Sequence, residues 1–168
     1  MDIGHVPKQS GKEKTLQDVE EICDLYRKHN LPRMSHEFAK ILEMRAALLK
    51  DLENPEEALK YHRKFLKIVK ELSEPGDWEI TMGLKAIARD HSAMKNYELS
   101  VQTYKKILER YEMYHDKQPL TGTKLKEKLN VYFYLSKELI FGCERFQEAI
   151  EICQKFLDLH NEYHKAFW

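Results

Sequence analysis

Apolar residues recur along this chain at intervals of three and four, and nowhere alternate with polar residues over a useful length, so the pattern predicts helices and no strands. Leu16, Val19, Ile22, Cys23 and Tyr26 form the first stripe. Thr15 suits its N-cap, and the helix ends near Asn30 because Pro32 disfavours helix at the residue before it. A second helix over residues 34–52 turns Phe38, Ile41, Leu42, Arg45, Ala46 and Leu49 inward. Pro55 fits the first position of a third, which runs to about Leu72. Ser73-Glu74-Pro75-Gly76-Asp77 is the plainest loop, and Asp77 caps a fourth helix bearing Ile80, Leu84, Ile87, Ala88 and His91. After a turn at Lys95-Asn96, a fifth helix extends to about His115 on Val101, Tyr104, Ile107, Leu108 and Tyr111. The chain breaks again from Asp116 to Gly122, and helices over 123–141 and 145–163 complete a set of about seven. Residues 1–14, with Gly4, Pro7 and Gly11, have the composition of a disordered leader. The remainder, 15–168, reads as one domain: a helix over 15–30, then helix pairs over 34–72, 78–115 and 123–163.

Laid over these helices is a phrase that occurs three times, beginning at Asn54-Pro55-Glu56-Glu57-Ala58, Asn96-Tyr97-Glu98-Leu99-Ser100 and Arg145-Phe146-Gln147-Glu148-Ala149. Its small anchors stand at 58, 100 and 149, spaced by 42 and then 49 residues. Self-similarity at such a period marks a stacked array of supersecondary units. Each anchor also has a small counterpart on the preceding helix, giving the pairs Ala46 with Ala58, Ala88 with Ser100 and Ser136 with Ala149. Helices packed 8–10 Å apart need small side chains where ridge meets groove, which is the physical content of the pairing. The third pair falls in register only if its inter-helix turn is one residue longer than the other two.

The small-small pairing, with Tyr97 and Phe146 as aromatics three residues before the second small residue, resembles the tetratricopeptide repeat over about residues 34–165. The run Ala58-Leu59-Lys60-Tyr61-His62-Arg63-Lys64-Phe65-Leu66-Lys67-Ile68, followed by Gly76-Asp77-Trp78-Glu79, is most similar to the extended repeats of kinesin light chains and of Leu-Gly-Asn-repeat adaptors. The resemblance implies an all-α, right-handed superhelical array of helix-turn-helix hairpins, with the first helix shielding one end. It also implies a non-catalytic adaptor that binds a partner protein. This chain departs from the pattern at Arg45, where an apolar residue is usual, and at His91, where an aromatic or leucine is common.

In such repeats the first helix of each hairpin lines a concave groove. By position that face holds Lys40, Glu43 and Ala47, then Met82, Lys85 and Arg89, then Asn130, Phe133 and Lys137. Lys85, Arg89 and Lys137 beside Met82 and Phe133 imply a peptide or helix with carboxylates and an apolar anchor. The same lysines and arginines also serve the plainer task of solvating a helix face. Glu43 and Ala47 occupy the first two places of the lysine-asparagine clamp for a terminal carboxylate, so that mode is not expected.

Charge and cysteine content narrow the alternatives. Lys plus Arg equals Asp plus Glu at 28 each, which leaves no overall field to gather nucleic acid or an anionic membrane. Cys23, Cys143 and Cys153 are an odd count set within helical segments, as expected of reduced thiols in a cytoplasmic protein. The longest apolar stretches are far too short for a membrane span. His160 and His164 have the spacing of two ligands on one helical turn, but Asn161 stands where a zinc hydrolase carries its glutamate. No catalytic residue, metal site or cofactor is expected, and an enzyme or metal-dependent regulator built on His91, His160 and His164 is the competing class. The apolar end Ala166-Phe167-Trp168 leaves further alternatives open: it belongs to a longer array, or it packs on the body of the protein or on a second copy, the last giving homo-oligomerisation through the C-terminal end.

Overall fold

A computed structural model describes the backbone of residues 8–115 and 122–167 and the side chains of 11–114, 122–162 and 164. Seven α-helices run through the described residues: α1 (Lys8–Lys28), α2 (His36–Asp51), α3 (Pro55–Leu72), α4 (Trp78–Ala93), α5 (Tyr97–Arg110), α6 (Gly122–Phe141) and α7 (Phe146–Phe167). No strand occurs among them. Leader residues 1–7, the connection at 116–121 and the side chains of Ala166-Phe167-Trp168 lie outside the described residues. The chain forms two compact units, Met1–Pro75 and Gly76–Trp168, which divide inside the Ser73-to-Asp77 loop.

The first unit holds α1 packed on the α2–α3 hairpin. Residues 8–14, expected to be irregular, are instead the opening turns of α1. Apart from Gly11 and Ser10 they are good helix formers, and one glycine costs only about 1 kcal/mol in a helix. Lys12 also pairs with Asp51 of α2 at 2.8 Å. Thr15 is therefore inside the helix, its hydroxyl donating back to the Gly11 carbonyl at 2.9 Å. The α2 cap is Ser35, whose Oγ accepts from Phe38 N. Asn54 caps α3 by accepting from Glu57 N, with Pro55 at the first helical position. Ala46 and Ala58 meet at the hairpin crossing, both fully buried, with Leu49 beside them.

Arg45 explains its own departure from an apolar pattern. Its guanidinium is 2.5 Å from Glu20 of α1 and lies over the Tyr61 ring of α3 at 4.2 Å. The aliphatic stem covers apolar surface while the head bridges two helices, a task no leucine performs.

The second unit holds the α4–α5 and α6–α7 hairpins around one core, in which Ala88, Val101, Tyr104, Ile107, Tyr111, Val131, Leu135 and Leu139 are almost wholly buried. Ser100 matches its expected place: fully buried, its Oγ donates to the Ala88 carbonyl of α4 at 3.0 Å. His91 is buried on α4, as its stripe predicts. The connections are residues 52–54, 94–96 and 142–145, so the third is the longer by one residue, as the pairing of Ser136 with Ala149 requires. Each contains a non-glycine residue in the left-handed region: Glu53 at φ 59°, Lys95 at φ 61° and Glu144 at φ 55°. The following amide reaches back into the helix just ended, Asn54 N to Leu49 O, Asn96 N to His91 O and Arg145 N to Leu139 O, satisfying carbonyls the helix end leaves open. Past Arg110, α5 widens into a π-helical turn, Tyr111–His115, whose Tyr111 is buried edge-on to Trp78 at 5.9 Å.

Candidate functional site

The residues assigned to a partner fall on both units. In the first unit Lys40 and Glu43 are exposed on α2, with Ala47 one turn on. In the second unit α4 and α6 are joined side by side through polar contacts. Lys85 of α4 is ion-paired to Glu127 of α6, and Ser92 Oγ donates to Glu138 Oε1 at 2.6 Å. Arg89 lies over the Tyr134 ring at 5.2 Å, and that ring stacks at 6.2 Å on the buried Tyr104 of α5. Phe133 stands edge-on to Tyr134 at 5.4 Å and remains 56% exposed.

This geometry corrects the expected roles of two cations. Lys85 is 4% exposed and its charge is spent on Glu127, so it is not offered to a ligand. Burial, and secondarily the neighbouring Arg89 guanidinium, pull its pKa down to about 8, while the Glu127 carboxylate opposes that shift. Arg89 is half-buried and engaged with the tyrosines, and burial pushes the Tyr104 phenol up so that it stays protonated. Both residues hold α4 to α6. What remains accessible is Phe133 and Lys137 on α6, exposed one turn apart, with Asn130 half-buried one turn before Phe133 and Met82 half-buried on α4. Sequence reading missed Glu127, Glu138 and Tyr134. A signal was present: Lys85 and Glu127 are 42 residues apart, Ser92 and Glu138 are 46, and Glu98 and its partner Arg145 are 47. Complementary groups one repeat length apart become neighbours when repeats stack.

The fold has counterparts among solved structures. The crystal structure of BtubC (BKLC) from P. vanneervenii superposes with a TM-score of 0.79 over 92% of this chain, at 14% identity. A putative kinesin light chain from Podosopora anserina, with nearly identical TPR-like repeats, does so with a TM-score of 0.73 at 12% identity, again over 92% of this chain. The fold is that of tetratricopeptide-like repeat proteins. The chain spans 59% of the first of those structures and 70% of the second. No protein-family model matches it, and no curated protein is significantly similar to it. At such identities the likeness carries the hairpin architecture and no partner or residue role.

The competing chemistry is dispersed. His160 and His164 approach on α7 with ring centroids 4.5 Å apart, and His160 stacks on Phe156. With Leu125 and Lys126 of α6 they line a cavity of about 490 Å³. His91 is buried on α4, and among the described residues no group of three or more His, Cys, Asp or Glu is placed to hold a metal ion. The three cysteines are free thiols, and burial followed by a hydrogen bond to Glu98 raises the pKa of Cys143, the reverse of an activated nucleophile. No described helix is long and apolar enough to cross a membrane.

Proposed function

We propose that this protein is a non-catalytic, cytoplasmic interaction module that holds a peptide or helix of a partner protein against the α4 and α6 face of its second unit. The observation that carries the reading is Phe133. It is a large aromatic left exposed on the first helix of a hairpin, beside an exposed lysine, while its neighbour Tyr134 is packed inward. Aromatic anchors of this kind carry a large part of the energy of peptide interfaces. Lys137 supplies the charge that selects a carboxylate, while Asn130 one turn from the anchor and Met82 on α4 contribute polar and flexible apolar surface. Lys85 and Arg89 enter the reading as the residues that hold the platform together. Lys40 and Glu43 are candidates of the first unit, taken by themselves.

A displayed library of random peptides, selected on the intact protein, tests this reading. The expected ligands pair an acidic residue with an apolar one. Phe133→Ala and Lys137→Glu each weaken them by about tenfold or more, with the thermal midpoint unchanged. Ligands indifferent to both substitutions contradict the assignment.

A further inference from the structure

The register that sets Ala88 on Ser136 and Ser100 on Ala149 aligns the rest of the last two hairpins as well. It sets Trp78 of α4 on Lys126 of α6, and Tyr111 on His160 of α7. In the α4–α5 hairpin the two aromatics meet: Trp78 packs on the core, edge-on to the fully buried Tyr111, with ring centroids 5.9 Å apart. In the α6–α7 hairpin a flexible cation and a smaller ring stand in their places. The helices there are also longer. The first, α6, opens at Gly122, one turn before the counterpart of Trp78, and α7 continues as an α-helix to Phe167 where the chain after Arg110 turns π-helical.

Between these added turns lies a cavity of about 490 Å³, lined by Leu125, Lys126 and Leu129 of α6 and by His160 and His164 of α7. Small-molecule sites span about 300–1,000 Å³, so the space suits a compact ligand. Leu125 is buried and Leu129 half-buried, which makes part of the wall apolar. The polar part is basic. Lys126 is exposed and makes no ion pair among the described residues, and the two imidazoles lie with centroids 4.5 Å apart, His160 stacked on Phe156. No carboxylate is present among the described residues that line the cavity. A metal ion would find two imidazoles, no acid and an opposing ammonium. An anion finds that ammonium together with ring N–H donors. We infer that the cavity is a binding site for a small aromatic acid, whose flat ring takes the place of an aromatic side chain of the preceding hairpin and whose carboxylate meets Lys126 and the histidines. Neither Phe133 nor Lys137 lines it, so this assignment and that of the α4 and α6 face can fail independently.

Indole-3-acetate is the probe, because its ring is that of Trp78. Titration calorimetry and ligand-observed NMR on the full chain are expected to show saturable binding with a Kd below about 500 μM. Indole-3-acetamide, of the same shape without the charge, binds at least about fivefold more weakly, and the cation tryptamine does not bind. Lys126→Trp installs the side chain of the preceding hairpin and abolishes binding, while Lys126→Glu weakens it by about tenfold or more. Both variants keep the wild-type far-UV circular dichroism, since Lys126 is exposed. The inference is overturned if indole-3-acetate does not bind, if the amide or tryptamine binds as tightly, or if Lys126→Trp leaves the affinity unchanged. Zinc held by the histidines without any binding of the acid overturns it equally.

Discussion

Gly142→Ala is the sharpest probe of how successive hairpins interlock in the second unit. A Cβ at this position would lie 2.3 Å from Cγ, 2.6 Å from Cβ and 2.7 Å from Cδ1 of Tyr97. Carbon atoms pack comfortably at about 3.5–4.0 Å, so the ring must retreat by more than about 1 Å from the turn it covers. Overpacking of this kind costs about 1–3 kcal/mol, and the clash with an inflexible Cβ places this case near the upper end. Gly11→Ala is the control of opposite sign. Gly11 is helical and exposed with nothing within 4 Å of an added Cβ, so alanine there gains about 1 kcal/mol from helix propensity alone. Urea and thermal unfolding, followed by far-UV circular dichroism, read both. For a chain of this size the expected shifts are a fall of about 5–10 °C for Gly142→Ala and a rise of a few degrees for Gly11→Ala. Tyr97→Ala removes two of the three close atoms and leaves Cβ, so it should relieve only part of the Gly142→Ala penalty. A Gly142→Ala protein as stable as wild type would refute the seating of Tyr97 on the turn.

Three further outcomes follow from the same packing. Lys95→Gly removes a left-handed strain that a side chain bears at some cost, and should raise stability by about 0.5–1 kcal/mol in urea titrations, after the flexibility that glycine adds to the unfolded chain. Lys85→Met leaves Glu127 without its cation, and should cost about 2 kcal/mol, less than the ~3–5 of a fully buried pair because the Glu127 side chain keeps 20% of its exposure. Adding Glu127→Gln should restore most of that loss in a double-mutant cycle. Glu148 is held below the ordinary carboxylate range by its hydrogen bond to Lys105, aided by the charges of Lys105 and Arg145. A depressed carboxylate contributes stability that is present above its unfolded pKa and lost as pH falls through the folded one, so Glu148→Gln should flatten the stability profile below about pH 4.5 and leave its slope near pH 7 unchanged.

Periodicity exposed the packing more readily than the binding face. Ala46, Ala58, Ala88 and Ser100 stand at their expected crossings because a small residue at a helix contact is dictated by one local constraint that recurs in every repeat. The longer third turn was legible for the same reason. Lys85 and Arg89 were harder to place, since a cation on a helix reads as solvated until its partner is known, and the partners Glu127 and Tyr134 lie on another hairpin. The opening turns of α1 were hidden by Gly11, whose cost in a helix is offset by neighbours such as Lys12 reaching Asp51.

Site-directed photocrosslinking tests the proposed interaction face most directly. p-Benzoylphenylalanine in place of Phe133, and in a parallel sample in place of the exposed Lys106 on α5, reports what touches each face in the source cell. The account predicts a discrete protein adduct at position 133 that Lys137→Glu abolishes, with none at position 106. Adducts at 106 without any at 133, or adducts at 133 indifferent to Lys137→Glu, would contradict it.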